Sequence, residues 1–189
     1  MTTKRKINFG FLEKQEFEIE ECIKFQGWEY LCSLKLPTYP NLVREFYENA
    51  SIGSKSLETE VKGVEIHLIV ENLGQLLKTP MEGTEKFDDQ QARLRLLFNR
   101  DDALDFEEIL AKHLSMKHCL LHHMVCKVFI PWIGRFDYVI RNDVRICYHI
   151  LKKEKFNFST LMMKTMQEAR MRAKSALPYG KFLTIILRV

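Results

Sequence analysis

Six histidines and five cysteines give this chain its soft donor groups. Most of them crowd into one stretch: His113, His118, Cys119, His122, His123 and Cys126. If that stretch is helical, His118 and His122 lie four apart, as do Cys119 with His123 and His122 with Cys126, and each pair shares a face. Such a pair can grip zinc from one side of a helix. A structural zinc site usually takes four ligands, commonly with a second pair from elsewhere. The other Cys and His residues (Cys22, Cys32, His67, Cys147, His149) show no paired spacing, and the glutamate of His-Glu-x-x-His is missing. The expectation is therefore no metal and no cofactor, with cysteines as small core residues and histidines at the surface or capped.

Asp88, Asp89, Asp101, Asp102, Asp105, Glu107 and Glu108 form an acidic group. Metal-dependent strand transfer needs carboxylates that converge on two ions about 4 Å apart. Here the acids fall in turns and at a helix start, where negative charge complements the helix dipole. G-x-S-x-G is absent, and the eight glycines are scattered, so neither a nucleophile elbow nor a phosphate-cradling loop is indicated. No catalytic residues are expected. Late basic residues (Lys152, Lys153, Lys155, Lys164, Arg170, Arg172, Lys174) could contact phosphates, the best candidates being Lys152, Lys153, Lys155, Arg170, Arg172 and Lys174. Their competing role is to offset the dipoles of two helix C-termini.

The elements that must position these groups are mostly helical. Residues 16–34 read as helix with a break at Gly27, turning Ile23, Trp28, Leu31 and Leu34 inward. Pro40 opens a second helix with Leu42, Val43, Phe46 and Tyr47 on one face. After a loop at 51–54, alternation in 57–61 and 64–68 around Lys62-Gly63 predicts a hairpin. A short helix follows at Leu73–Leu77, ending before Pro80. Amphipathic helices are expected over 90–98 and 104–114. Another follows, capped by Ser115, with a Met116, Leu120, Met124, Val128 face and a stop at Pro131. Val144, Cys147, Tyr148 and Leu151, with Asn142 as cap, mark a further helix. Phe158, Leu161, Met162, Thr165, Met166, Ala169 and Ala173 form the strongest stripe. Residues 182–189 fit helix or strand.

The expected fold is mainly α: a single compact multi-helix domain, residues 16–189, with one small β-hairpin near residues 57–68. Residues 1–15 read as a flexible basic tail. The chain has 189 residues, 46% of them apolar, with 13 Phe and 8 Met. That is enough for one core and excludes wholesale disorder. A net charge of +4 with interspersed signs is too mild to mark a dedicated nucleic-acid binder. Cysteines at irregular spacing fit a reducing compartment, cytoplasm or nucleus, and no stretch reaches the roughly 20 apolar residues of a membrane helix. No membrane or small-molecule partner is indicated. The sequence ends inside an apolar run, which reads as truncation from a longer polypeptide.

Several pieces in order carry a family resemblance. They are Gly27-Trp28 with Leu31; Tyr39-Pro-Asn-Leu-Val-Arg-Glu-Phe-Tyr47; Val61-Lys-Gly-Val-Glu-Ile66 with Leu73-Gly74 and Leu76-Leu77; and Pro80 with Gly83. His122 before Phe129-Ile130-Pro131, and Leu177-Pro-Tyr-Gly180 with Phe182-Leu-Thr184, complete the set. Together they resemble the putative plant transposon protein domain of plant retroelement-derived reading frames. The hairpin, short helix and proline loop are also similar to the plant mobile domain. The resemblance implies a plant host, a mobile-element origin and a helical domain within a longer polypeptide, and it brings no catalytic residues. The family commonly has a basic residue after the proline ending the central helix; here Trp132 stands there, with Arg135 further on. The expected function is a non-catalytic assembly or protein-interaction module, partnering a protein or a second copy. The alternatives are a nucleic-acid-binding module and part of a metal-dependent integrase or nuclease.

Overall fold

A computed structural model describes residues 19–84, 94, 96–98, 110–130, 136–171 and 177–187. The element order is α1 (Ile19–Gln26), α2 (Glu29–Ser33), α3 (Pro40–Asn49), β1 (Ser51–Ile52), β2 (Ser56–Val61), β3 (Val64–Ile69) and α4 (Val70–Leu77). A 3-10 turn (Ala111–His113), α5 (Met116–Val128), α6 (Arg141–Lys152), α7 (Phe158–Met171) and α8 (Gly180–Ile186) follow. The expected tail 1–15, most of the segments at 90–98 and 104–114, and Ala173 lie outside the described residues. Residues 182–186 are helical, which settles the open choice there.

Local chemistry explains the breaks. Gly27 adopts φ 72°, donates its N–H to Lys24 O, and is followed by Trp28 N–H on Ile23 O. This is a left-handed C-terminal cap that closes α1. The same cap closes α4 and α6, but with Lys78 and Lys153 at the left-handed position, both at φ 51°. Pro40 occupies the first turn of α3, where its missing N–H is harmless.

The sheet has one strand more than expected. β2 and β3 form the anticipated antiparallel hairpin, Val61 opposite Val64, with Lys62 and Gly63 both at positive φ (54° and 75°). That is the turn whose twist suits a two-residue hairpin. Ser51–Ile52, within the stretch expected to be loop, pairs with Leu57–Glu58 as a third strand. Two paired residues are too short to show alternation, so the pattern gave no sign of it. α3 lies against β2, and buried Thr59 donates its hydroxyl to Phe46 O at 2.9 Å.

α7 is the central helix. Phe158 through Met163, Thr165, Met166 and Ala169 are all buried, so the predicted stripe widens to nearly the whole circumference at its N-terminal end. α4 and β1 pack on α7, α1 and α5 pack on α6, and α8 packs on α3 and α4. Phe158 meets Trp28 (5.5 Å between centroids), Phe129 (5.7 Å), Tyr179 (6.4 Å) and Phe182 (6.3 Å). One ring thus joins segments from both ends of the chain.

Two faces differ from expectation. Met116 is exposed, and α5 instead buries Leu121, His122, Met124, Val125, Cys126 and Val128, because its partners lie along its C-terminal half. Asn142 does not cap α6; it sits inside the helix, and Asp143 accepts the N–H of Ile140 instead. Ser115 does cap α5, accepting from His118 N–H at 3.2 Å.

Gly83 adopts φ 121°, and an added Cβ would meet the Lys155 carbonyl and Phe156 N at 2.5 Å. Gly83→Ala should lower stability by about 3 kcal/mol, read from the midpoint of urea unfolding. Lys62→Asn should raise it by about 0.5–1 kcal/mol, because asparagine tolerates the left-handed position before Gly63.

Candidate functional site

The polar centre of the molecule forms where α5 meets α6. His122 and Cys126 project from successive turns of α5, and Asp143 comes from the first turn of α6. His122 Nε2 lies 3.1 Å from Asp143 Oδ2 and 3.2 Å from Cys126 Sγ. Asp143 Oδ2 also accepts the Ile140 N–H at 3.0 Å. The donor atoms of all three side chains lie within 4.8 Å of one another. Cys147, one turn after Asp143, is buried as well but is not part of this group of three.

This cluster is sealed. His122 is 2% exposed, Cys126 4%, and Asp143 and Cys147 1% each. Asp143 Oδ1 has no hydrogen-bond partner among the described residues. A buried carboxylate oxygen left unpaired costs on the order of 1–3 kcal/mol, more when charged. Burial, reinforced by the negative charge of Asp143, pushes the Cys126 and Cys147 thiols well above their ordinary range. Both are held as neutral thiols, so neither is a poised nucleophile.

The other donors of the predicted cluster go elsewhere. His118 Nδ1 hydrogen-bonds with Leu97 O, and His113 and His123 are exposed, His123 near the Phe136 ring at 5.9 Å. Of the helical pairs proposed from sequence, only His122 with Cys126 converges on the buried cluster. Asp143 is the cluster member that the sequence did not single out, a signal hidden when only Cys and His are counted as donors, while Cys147 stays outside the group. The expectation of surface or capped histidines thus needs correction at His122, which lies in the core.

The basic candidates divide among different neighbours. Lys153 pairs with Glu21 at 3.7 Å, and Lys155 lies over the Phe25 ring at 5.1 Å, both beside α1. Exposed Lys152 ends α6. Arg170 donates to the carbonyls of Ala50 and Glu48, each at 3.4 Å, at the junction of α3 and β1. Arg172 and Lys174 lie outside the described residues, as do Trp132, Arg135 and the acids Asp88, Asp89, Asp101, Asp102, Asp105, Glu107 and Glu108.

Fold and site define a mainly α domain with a small antiparallel sheet and a closed polar cluster in its core. The chain belongs to the family described as "Putative plant retrotransposon-related domain", whose model matches residues 24–188. It is thus a plant retrotransposon-derived domain. No curated protein and no solved structure matches it.

Buried thiols make stability depend on alkaline pH. The unfolded chain releases thiol protons above about pH 8.5 while the folded chain retains them, so folding loses up to about 1.4 kcal/mol per thiol per pH unit. Cys32, pushed up to about 12 by burial, joins Cys126 and Cys147 in this effect. For the metal-free chain, urea midpoints between pH 8 and 10 (about the thiol range) should fall, and the fall should shrink in Cys147→Ala.

Proposed function

We propose that this domain is a non-catalytic assembly or protein-interaction module of a larger retrotransposon-derived polypeptide, acting by association with a second copy of itself. The carrying observation is the position of β3 in the sheet. In the sheet order β1-β2-β3, β3 is an edge among the described residues. Counted from the two-residue turn, Val64, Ile66 and Leu68 occupy the hydrogen-bonded pairs of the register, so the backbone groups of Glu65, His67 and Ile69 point away from β2. An unpaired edge is a template for strand addition.

Beside that edge, Leu42, Val64, Ile66, Leu76, Ile186 and Leu187 line a cavity of about 340 Å³. Val64 is 57% exposed. The backbone edge supplies hydrogen bonds and the apolar surface supplies burial, which is what an edge-to-edge partner requires. The sealed His122, Cys126 and Asp143 cluster supports a non-catalytic role, because a general acid or base must lie within hydrogen-bond reach of its substrate. An intracellular setting, in cytoplasm or nucleus, is part of the same proposal and suits five free thiols. No helix among the described residues is long and apolar enough to cross a membrane.

Light scattering coupled to size exclusion should show concentration-dependent dimer formation. His67→Pro removes an outward N–H without breaking the β2–β3 ladder, and should weaken self-association at least about tenfold while preserving the circular dichroism spectrum. A strict monomer at all concentrations sinks the proposal. Binding of a nucleic acid that falls steeply with salt, and weakens in Lys152→Ala and Arg170→Ala, would favour the phosphate-contact alternative instead.

A further inference from the structure

We propose that His122, Cys126 and Asp143 form a buried zinc site that clamps α5 to α6. α5 contributes two donors four residues apart on one face, α6 contributes the Asp143 carboxylate, and the donor atoms of all three lie within 4.8 Å of one another. A thiolate, an imidazole and a carboxylate from two helices are ligand types that zinc takes.

The geometry suits the ion. With ordinary zinc bond lengths, tetrahedral coordination sets N and O donors about 3.3 Å apart and N and S donors about 3.6 Å apart. The corresponding distances are 3.1 Å from His122 Nε2 to Asp143 Oδ2 and 3.2 Å from His122 Nε2 to Cys126 Sγ. Small side-chain adjustments admit the ion. The donor set of thiolate, imidazole and one carboxylate selects zinc over magnesium or calcium, which take oxygen ligands. All three donors are sealed from solvent, which makes the role of the ion structural.

Charge supplies an independent argument. The Asp143 carboxylate is 1% exposed, and its Oδ1 has no hydrogen-bond partner among the described residues. Its other oxygen accepts the Ile140 N–H and meets His122 Nε2, so compensation is partial, and a divalent cation completes it. One thiolate and one carboxylate balance the two charges of the ion. Because the cluster is sealed, the ion enters as the chain folds, with the Cys126 thiol proton released to solvent as the sulfur binds zinc.

The test uses the whole chain, expressed with added zinc and purified without chelator. Elemental analysis should find one zinc per chain, and chelation should lower the thermal midpoint by more than about 5 °C. Refolding with cobalt in place of zinc should give the visible absorption of a tetrahedral thiolate-ligated ion. Cys126→Ser and Asp143→Asn should each weaken binding at least about tenfold, whereas Cys32→Ser and Cys119→Ser should leave it unchanged. The inference is overturned by wild-type chain that holds no zinc and shows no thermal response to it. It is equally overturned by metal that binds as tightly in Cys126→Ser and Asp143→Asn, which places the ion elsewhere. The result does not depend on whether the domain self-associates.

Discussion

The packing around α7 is the constraint on which the remaining structure depends. A helix buried on nearly all sides cannot be satisfied by its own neighbours in sequence. Phe158 therefore takes its partners from α1–α2 (Trp28), from the end of α5 (Phe129), and from the start of α8 (Tyr179, Phe182). Each aromatic side chain buries a large apolar area, and tilted or edge-on ring pairs add about 0.5–1.5 kcal/mol beyond that area. The order of elements along the chain is less important than their return to this one ring cluster.

A core drawn from so many segments leaves polar chain ends inside it, and particular side chains satisfy them. Buried Gln26 donates to His149 O (3.2 Å) and Glu154 O, and its oxygen accepts Phe156 N–H at 3.2 Å, closing the end of α6 against α1. Asn157 accepts Thr160 N–H at the start of α7 and donates to Met81 O, both at 3.0 Å, while Thr79 and Ser159 hydroxyls meet at 2.8 Å. These bonds fix the loop after α4 against α7. Gly74 and Gly83 make that approach possible, since an added Cβ would collide with Met81 at the first and with the Lys155 backbone at the second. The Asp143 cluster differs from these because one of its oxygens has no hydrogen-bond partner among the described residues, a state it shares with the Trp28 indole N–H.

Much of the fold was legible because local rules and tertiary packing agree. The stop at Gly27, the proline-led α3, the Lys62-Gly63 hairpin, the Ser115 cap and the α7 stripe each have a short-range physical cause. The third strand was not legible, because two residues carry no periodicity. The exposed Met116 was not either, because a four-residue apolar repeat says which side chains share a face but not how far along the helix its neighbours reach. Asn142 suits a cap by residue type, yet α6 begins at Arg141 with Ile140 at the cap position, and the Asp143 carboxylate at the third helical position accepts the Ile140 N–H.

By itself, the amino-acid sequence determined the class of fold, the family order of motifs and the pairing of His122 with Cys126, because helical spacing is a local property. Only the tertiary structure decided that Asp143 meets that pair, that His118 and His123 turn elsewhere, and that β3 is an edge strand among the described residues. Those outcomes depend on which helices meet and at what register, and such contacts are set by the shape of the whole core.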